Sequence, residues 1–187
     1  MRSERYAVVD VETTGFSPVN DRVVEIACVC VDGDRIVDRW ATLVDPREPI
    51  PPRATEIHGI TDAMVAGAPT ADRAIARLRR VAAARTIVAH SARFDLSFLS
   101  GLKTRDAICT VRLARQLVPE APDHKNQTLR RVLEIDRRFG ENLGAHRALD
   151  DALVTAGVLI ECRARFSRRY WGVSWRRFLR ERALVAA

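Results

Sequence analysis

The sequence predicts an α/β domain with a mixed central sheet of about five strands flanked by helices, on three observations. Three β-rich runs stand together near the N-terminus. Beyond residue 70, amphipathic helical stretches alternate with short apolar strands, and no internal repeat or low-complexity linker divides the chain. A chain of 187 residues, 47% hydrophobic and 29% charged, has the size and composition of one globular domain rather than of a disordered segment. A single domain over 1–187 is expected.

The elements follow in order. Tyr6 to Glu12 sets Tyr6, Val8, Asp10 and Glu12 on one face and Ala7, Val9 and Val11 on the other, and Thr13-Thr14-Gly15 ends the run. That pattern is a strand entering a glycine turn. Val23 to Val31 is a second strand, Asp32-Gly33 a two-residue hairpin signal and Arg35 to Val44 the returning strand, which together make an antiparallel meander. Pro46, Pro49, Pro51 and Pro52 then predict extended, irregular chain, because proline donates no ladder hydrogen bond and fixes its own φ. From Thr70, an N-cap residue type, Ile75, Leu78 and Val81 recur at helical spacing. Thr86 to Ala89 reads as a short buried strand ending at His90, and Ala92 to Ser100 as a helix with Phe94 and Phe98 one turn apart. Ala107 to Thr110 is the candidate fifth strand. Helices are expected over 111–118, 126–134 and 146–166, with a surface loop over 119–125.

The net charge of +7 is concentrated at one end: residues 161–187 hold eight arginines against Glu161 and Glu181, together with Tyr170, Trp171, Trp175 and Phe178. This segment is expected to be a basic, aromatic, helical extension of the domain. Two roles fit it. Its arginines follow a phosphate backbone while a tryptophan stacks on a base, or Trp171, Trp175 and Phe178 form a helical stripe that packs on the domain or a partner. The longest apolar runs fall far short of the roughly 20 residues a bilayer demands, and the N-terminus has no apolar signal core, so a cytoplasmic protein without membrane association is expected. Cys28, Cys30, Cys109 and Cys162 form no Cys-x-x-Cys pair and are expected to be reduced.

Asp10 and Glu12 leave the same face of their strand with Cβ atoms about 6 to 7 Å apart. Alone, such a pair is ordinarily a polar strand end meeting water. Facing a core, its repulsion and desolvation require a cation between the carboxylates. The company of the pair decides between these: His90-Ser91-Ala92-Arg93-Phe94-Asp95 follows a second strand, and His146-Arg147-Ala148-Leu149-Asp150-Asp151 opens a late helix.

On these three motifs the chain resembles the DEDD-type 3′-to-5′ exonucleases with a catalytic histidine, the superfamily of the bacterial DNA polymerase III proofreading subunit, epsilon, and ribonuclease T. The similarity runs over residues 6 to about 160 and includes Ile57-His58-Gly59-Ile60-Thr61. The resemblance implies a ribonuclease H-like fold, two Mg²⁺ or Mn²⁺ ions held by Asp10, Glu12, Asp95 and Asp151, and His146 as general base. It further implies that Thr13, Thr14 and Gly15 line the pocket for the 3′-terminal nucleotide, with His58 beside it. Hydrolysis of a phosphodiester needs charge stabilised at the attacking and the departing oxygen, which two cations about 3.5 to 4 Å apart can do, and carboxylates are the hard ligands such ions take.

His146 and Asp151 are five residues apart, about 140° around an ideal helix, so His146 must lie off the regular helix, where Gly144 permits a bend. A base on a mobile segment that docks with substrate is the natural outcome. Asp151 rather than Asp150 matches the family's spacing, which leaves Asp150 as a solvated helix residue. Ser91 stands where the family most often has asparagine, and Arg53 where some relatives carry an acidic residue. Single-stranded or frayed 3′ ends of DNA are the expected partners, with a DNA polymerase possible and nucleoside 5′-monophosphates as products. The alternatives are an RNA-directed exonuclease and, from another class, a non-catalytic nucleic-acid-binding module accessory to a polymerase.

Overall fold

A computed structural model describes residues 4–102, 107–140, 143–181 and 185–186. Strands β1 (Arg5–Thr13), β2 (Val23–Asp32) and β3 (Arg35–Leu43) form the antiparallel meander. Helices α1 (Pro52–His58), α2 (Asp62–Val65) and α3 (Ala71–Val81) precede β4 (Thr86–Ala89), which pairs parallel to β1. Helix α4 (Ala92–Phe98) leads to β5 (Ala107–Cys109), parallel to β4. Then come α5 (Thr110–Leu117), α6 (Asn126–Val132), α7 (Ile135–Phe139), α8 (Ala148–Arg169), α9 (Trp175–Glu181) and β6 (Val185–Ala186). The sheet order is β3-β2-β1-β4-β5-β6, mixed in direction as expected, with the two-residue β6 antiparallel to β5 as a sixth strand.

The alternation in β1 divides the molecule into two cores. Tyr6 and Val8, with Ala27, Val29 and Val31 of β2, face a cluster roofed by residues of α5, α6, α8 and α9. Ala7, Val9 and Val11, with Ile26, Cys28 and Cys30, face a second cluster under α3 and α4. A strand covered on both sides must be apolar nearly throughout, which explains why β2 is buried from Val23 to Val31. Asp10 and Glu12 continue the Tyr6 and Val8 face toward the far end of β1, so they emerge under the first turn of α8.

Several local expectations are corrected. The proline-rich stretch is not irregular throughout: Pro52 opens α1, where its missing N–H is no loss and its fixed φ suits the first turn, and Gly59 at φ 70 ends the helix. The hairpin turn lies one residue on from the signal, at Gly33-Asp34, with Asp32 and Arg35 as the last pair and Gly33 at φ 66. The helix expected over 126–134 is α6, which ends at Val132, and a further short helix, α7, follows after Glu134, which takes a left-handed conformation at φ 49. The last long helix begins at Ala148, not at 146.

Beyond α8, Gly172 at φ 78 turns the chain back, so that Trp175 and Phe178 of α9 pack on Phe166, with ring centroids 4.9 and 4.8 Å away. Trp175 Nε1 donates to the Tyr6 hydroxyl at 2.9 Å, and that hydroxyl donates to Glu4 at 2.8 Å. Packing is therefore the role of Trp175 and Phe178. Trp171 lies before the turn, outside the helical stripe, and is 93% exposed. This docking is at the start of β1, about 20 Å along the strand from Glu12 at the rise of an extended chain. All four cysteines are free and buried. Among the described residues no helix is long and apolar enough to cross a membrane.

Candidate active site

The β1–β2 register shifts between Glu12, opposite Glu25, and Thr13, opposite Val23, a bulge that skips Val24 at the end of β1 nearest the site. Here Asp10, Glu12 and, from the first turn of α8, Asp151 each offer a carboxylate oxygen, all within 4.8 Å of one another. Asp95, in the first turn of α4, stays outside that trio, but it is buried and is the charged neighbour that bears most on Asp10.

Asp151 is held on both oxygens. Gln127 Nε2 donates to Oδ1 at 2.8 Å, Asn126 Nδ2 to the same oxygen at 3.1 Å, and the His146 backbone N–H to Oδ2 at 2.8 Å. Asp150, expected to be merely solvated, accepts the Gly144 N–H at 2.9 Å. A Cβ on Gly144 would sit 2.6 Å from that oxygen, so a larger residue there would push the Asp150 carboxylate off the N–H it accepts; Gly144 itself is not left-handed. The left-handed residue is His146 itself, at φ 57, two positions before α8 and off the regular helix as its spacing requires.

Burial and mutual repulsion push the carboxyls toward their protonated forms. Glu12 is pushed up to about 8, first by burial, then by repulsion from Asp151, Glu25 and Asp95. Burial pushes Asp95 up to about 7, and Asp10 is raised well above the carboxylate range by burial and by Asp95 and Asp151. Burial also raises Asp151, against the hydrogen bonds that hold it. Converging, buried carboxylate oxygens are the hard donors a divalent metal takes, and binding of such an ion displaces the protons that burial favours.

A stability prediction follows. Carboxyls raised above their unfolded values of about 4 contribute stability at acid pH that is lost as pH climbs through about 7 to 8. In chelator, the melting temperature is expected to fall between about pH 5.5 and 8.5, and Mn²⁺ to restore it most at the alkaline end. Glu12→Gln should flatten the decline. Thermal scans across that range, with and without metal, make the check, and an equal decline in Glu12→Gln would contradict the assignment.

Beside the carboxylates lies a cavity of about 590 Å³ whose walls include Glu12, Thr13, Thr14, Gly15, His58 and His146. The structure thus brings every residue expected to touch the terminal nucleotide to one recess. A Cβ on Gly15 would meet the Asp21 carboxylate at 2.5 Å, and making room for it would move that carboxylate off the Ser17 N–H it accepts at 2.8 Å. The Thr14 N–H is not available to a ligand, because it donates to Arg22 O at 2.8 Å while its hydroxyl accepts the Arg22 N–H at 2.9 Å. His58 is buried at the end of α1, where its Nδ1 accepts the Ile60 N–H at 3.0 Å, which leaves the proton of the neutral ring on Nε2. Nε2 has the Thr13 backbone as a neighbour but no hydrogen-bond partner, and burial lowers the ring's pKa.

Sequence reasoning passed over Phe16, Asn126, Gln127, Glu25 and Arg147. Phe16 follows the turn glycine, stands at the cavity wall 79% exposed, and tilts against Phe94 at 6.3 Å. Glu25 was visible as the one charge inside an apolar strand, and Arg147 sits within the third motif itself.

Comparison with known proteins agrees with this geometry. The Exonuclease family profile matches residues 7–159. A PolC-type DNA polymerase III of Bacillus cereus is 37% identical over 169 residues, which are 86% of this chain but 11% of the polymerase. The chain thus spans about a tenth of the length of such relatives. The epsilon subunit of DNA polymerase III from Aquifex aeolicus is 34% identical over 165 residues, 83% of this chain and 79% of the subunit. Exonuclease X, solved with 5′ overhanging duplex DNA, superposes with a TM-score of 0.73 at 34% identity, over 89% of this chain and 93% of that one. E. coli exonuclease I with a dT13 oligonucleotide, at 18% identity and a TM-score of 0.71 over 88% of this chain and 42% of that one, shares the fold. With its ribonuclease H-like sheet and the acidic cluster beside its recess, the chain belongs to the Exonuclease family.

Proposed function

We propose that the chain hydrolyses the terminal phosphodiester of single-stranded or frayed 3′ DNA ends in the cytoplasm, releasing nucleoside 5′-monophosphates with two Mg²⁺ or Mn²⁺ held by Asp10, Glu12, Asp95 and Asp151. The observation that carries this reading is the continuity of the 590 Å³ recess with the carboxylate cluster: Glu12 belongs to both, and His146 stands in the recess wall. When bound, the ions supply charge stabilisation at the attacking and departing oxygens.

The protein's own groups do the rest. His146 accepts the proton of the attacking water, and its exposed side chain on a left-handed residue gives the ring access to the recess. His58 offers its unpartnered Nε2–H to the terminal nucleotide, Phe16 and Phe94 give its base an aromatic surface, and Arg53 brings a positive charge to the wall that suits phosphate.

DNA is favoured because the relatives at 34 to 37% identity include DNA polymerase components and a nuclease solved on DNA. A polymerase partner that presents frayed ends is supported by the same relatives.

Matched DNA and RNA oligonucleotides labelled at the 5′ end test the reading. The expected result with Mn²⁺ is a ladder shortening from the 3′ end of DNA, with 5′-monophosphates as product. Internal cleavage, or degradation of RNA alone, would reject it.

A further inference from the structure

Glu25 is a carboxylate that the proposed chemistry does not use, in a place where another negative charge is costly. It lies on β2 directly opposite Glu12 in the strand register, on the same sheet face, and is 4% exposed. Both of its oxygens are engaged by the segment that opens α8. Arg147 Nη2 donates to Oε1 at 2.7 Å and Arg147 Nε to Oε2 at 3.1 Å, a two-point pair, and the Ala148 N–H donates to Oε2 at 2.9 Å. The first N–H groups of a helix have no partner within it, and Arg147, at the cap position, makes no side-chain cap bond. Glu25 therefore caps α8 from a neighbouring strand, where its charge also suits the positive end of the helix.

We propose that Glu25, through Arg147, is a positioning residue that locks the His146 segment and the first turn of α8 against β1, so that Asp151 and His146 stand where Glu12 needs them. The proposal rests on the roles assigned above to His146 and Asp151. The connections run without a gap: Glu25 fixes Arg147 and Ala148, the Arg147 carbonyl accepts the Asp151 N–H at 3.0 Å, and Asp151 accepts the His146 N–H at 2.8 Å. His146, left-handed without being glycine, is thereby tied from both sides, which is the condition under which a strained backbone persists.

The test uses the full chain carrying Arg147→Ala, Glu25→Gln, or the exchanged pair Glu25→Arg with Arg147→Glu. Arg147 has a side chain 45% exposed, so Arg147→Ala is expected to fold, with a melting curve as the control. Amide hydrogen exchange of residues 144–151 is the readout independent of activity, and it is expected to speed by about tenfold in the two single variants. The kcat for mononucleotide release is expected to fall about 10- to 100-fold, with KM for the oligonucleotide within about twofold. The exchanged pair should recover neither property, because arginine at position 25 cannot accept the Ala148 N–H and places a cation at a helix N-terminus.

Unchanged exchange protection in both single variants overturns the proposal. So does a raised KM at constant kcat, which would make Arg147 a phosphate contact, and so does full recovery in the exchanged pair, which would reduce the arrangement to a simple ion pair. His146→Ala and Asp151→Asn measured in parallel keep the two readings apart. Full activity in those variants rejects the assigned site roles, while the exchange data still decide whether Glu25 orders the segment.

Discussion

Asp10→Asn is expected to lower mononucleotide release by about a thousandfold or more while making the metal-free protein more stable. The reason is the position of Asp10 on β1. Its carboxyl converges with those of Glu12 and Asp151, and burial first, then repulsion from Asp95, Asp151, Glu12 and Glu25, drives it toward its protonated form. Asparagine keeps the shape of the side chain and removes the charge. In chelator near about pH 8, the folded parent must take up a proton at Asp10 that its unfolded chain has lost, a cost asparagine does not carry, so the variant is expected to melt roughly 2 to 4 °C higher, the equivalent of about 1 kcal/mol for a chain of this size. Saturating Mn²⁺ should then reverse the order, stabilising the unsubstituted protein strongly and the variant little, because the variant lacks a ligand. Opposite signs in the two conditions separate a metal ligand from a structural carboxylate, whose loss would destabilise the protein in both. Equal melting curves with and without metal for both proteins, or activity retained in purified Asp10→Asn, would reject the assignment. Asp10→Ala should lose activity as fully, but it adds a packing defect that blurs the stability comparison.

The parts of this site legible in the sequence are those whose spacing carries geometry. Asp10 and Glu12 share a strand face because side chains alternate, and the five-residue offset of His146 from Asp151 already places the histidine off the helix, where it is found. The parts that were not legible depend on pairing between distant segments. Glu25 meets Glu12 only through the β1–β2 register, and Asn126 and Gln127 reach Asp151 only because α6 packs beside α8. The fold shows the same division. The meander and the alternating helices and strands follow from local period. The opening of α1 at Pro52 depends on where a proline falls within a helix, and the separation of Trp171 from Trp175 depends on Gly172 at φ 78, which no helical spacing reveals.

His146→Ala is expected to lower kcat by about 10²- to 10⁴-fold, the range for loss of a general base, with oligonucleotide affinity nearly unchanged. The ring is exposed at the wall of the recess, whereas the backbone N–H is tied to Asp151, so its freedom belongs to the side chain rather than to the whole segment. Two consequences distinguish a base from a residue that merely shapes the loop. First, removal of the ring leaves space open to the recess, and added imidazole is expected to restore part of the lost rate in His146→Gly and His146→Ala without changing KM. Second, the φ of 57 strains any residue with a Cβ, so His146→Gly should melt higher than His146→Ala, although glycine ordinarily lowers stability through the unfolded chain. If both variants fail to respond to imidazole while binding DNA as tightly as the parent, the proton acceptor is another group. If instead affinity collapses along with rate, His146 acts by holding the terminal nucleotide. Loss of rate alone, recovered by a free base that fits the vacated space, is the pattern that a ring accepting a proton from water must produce.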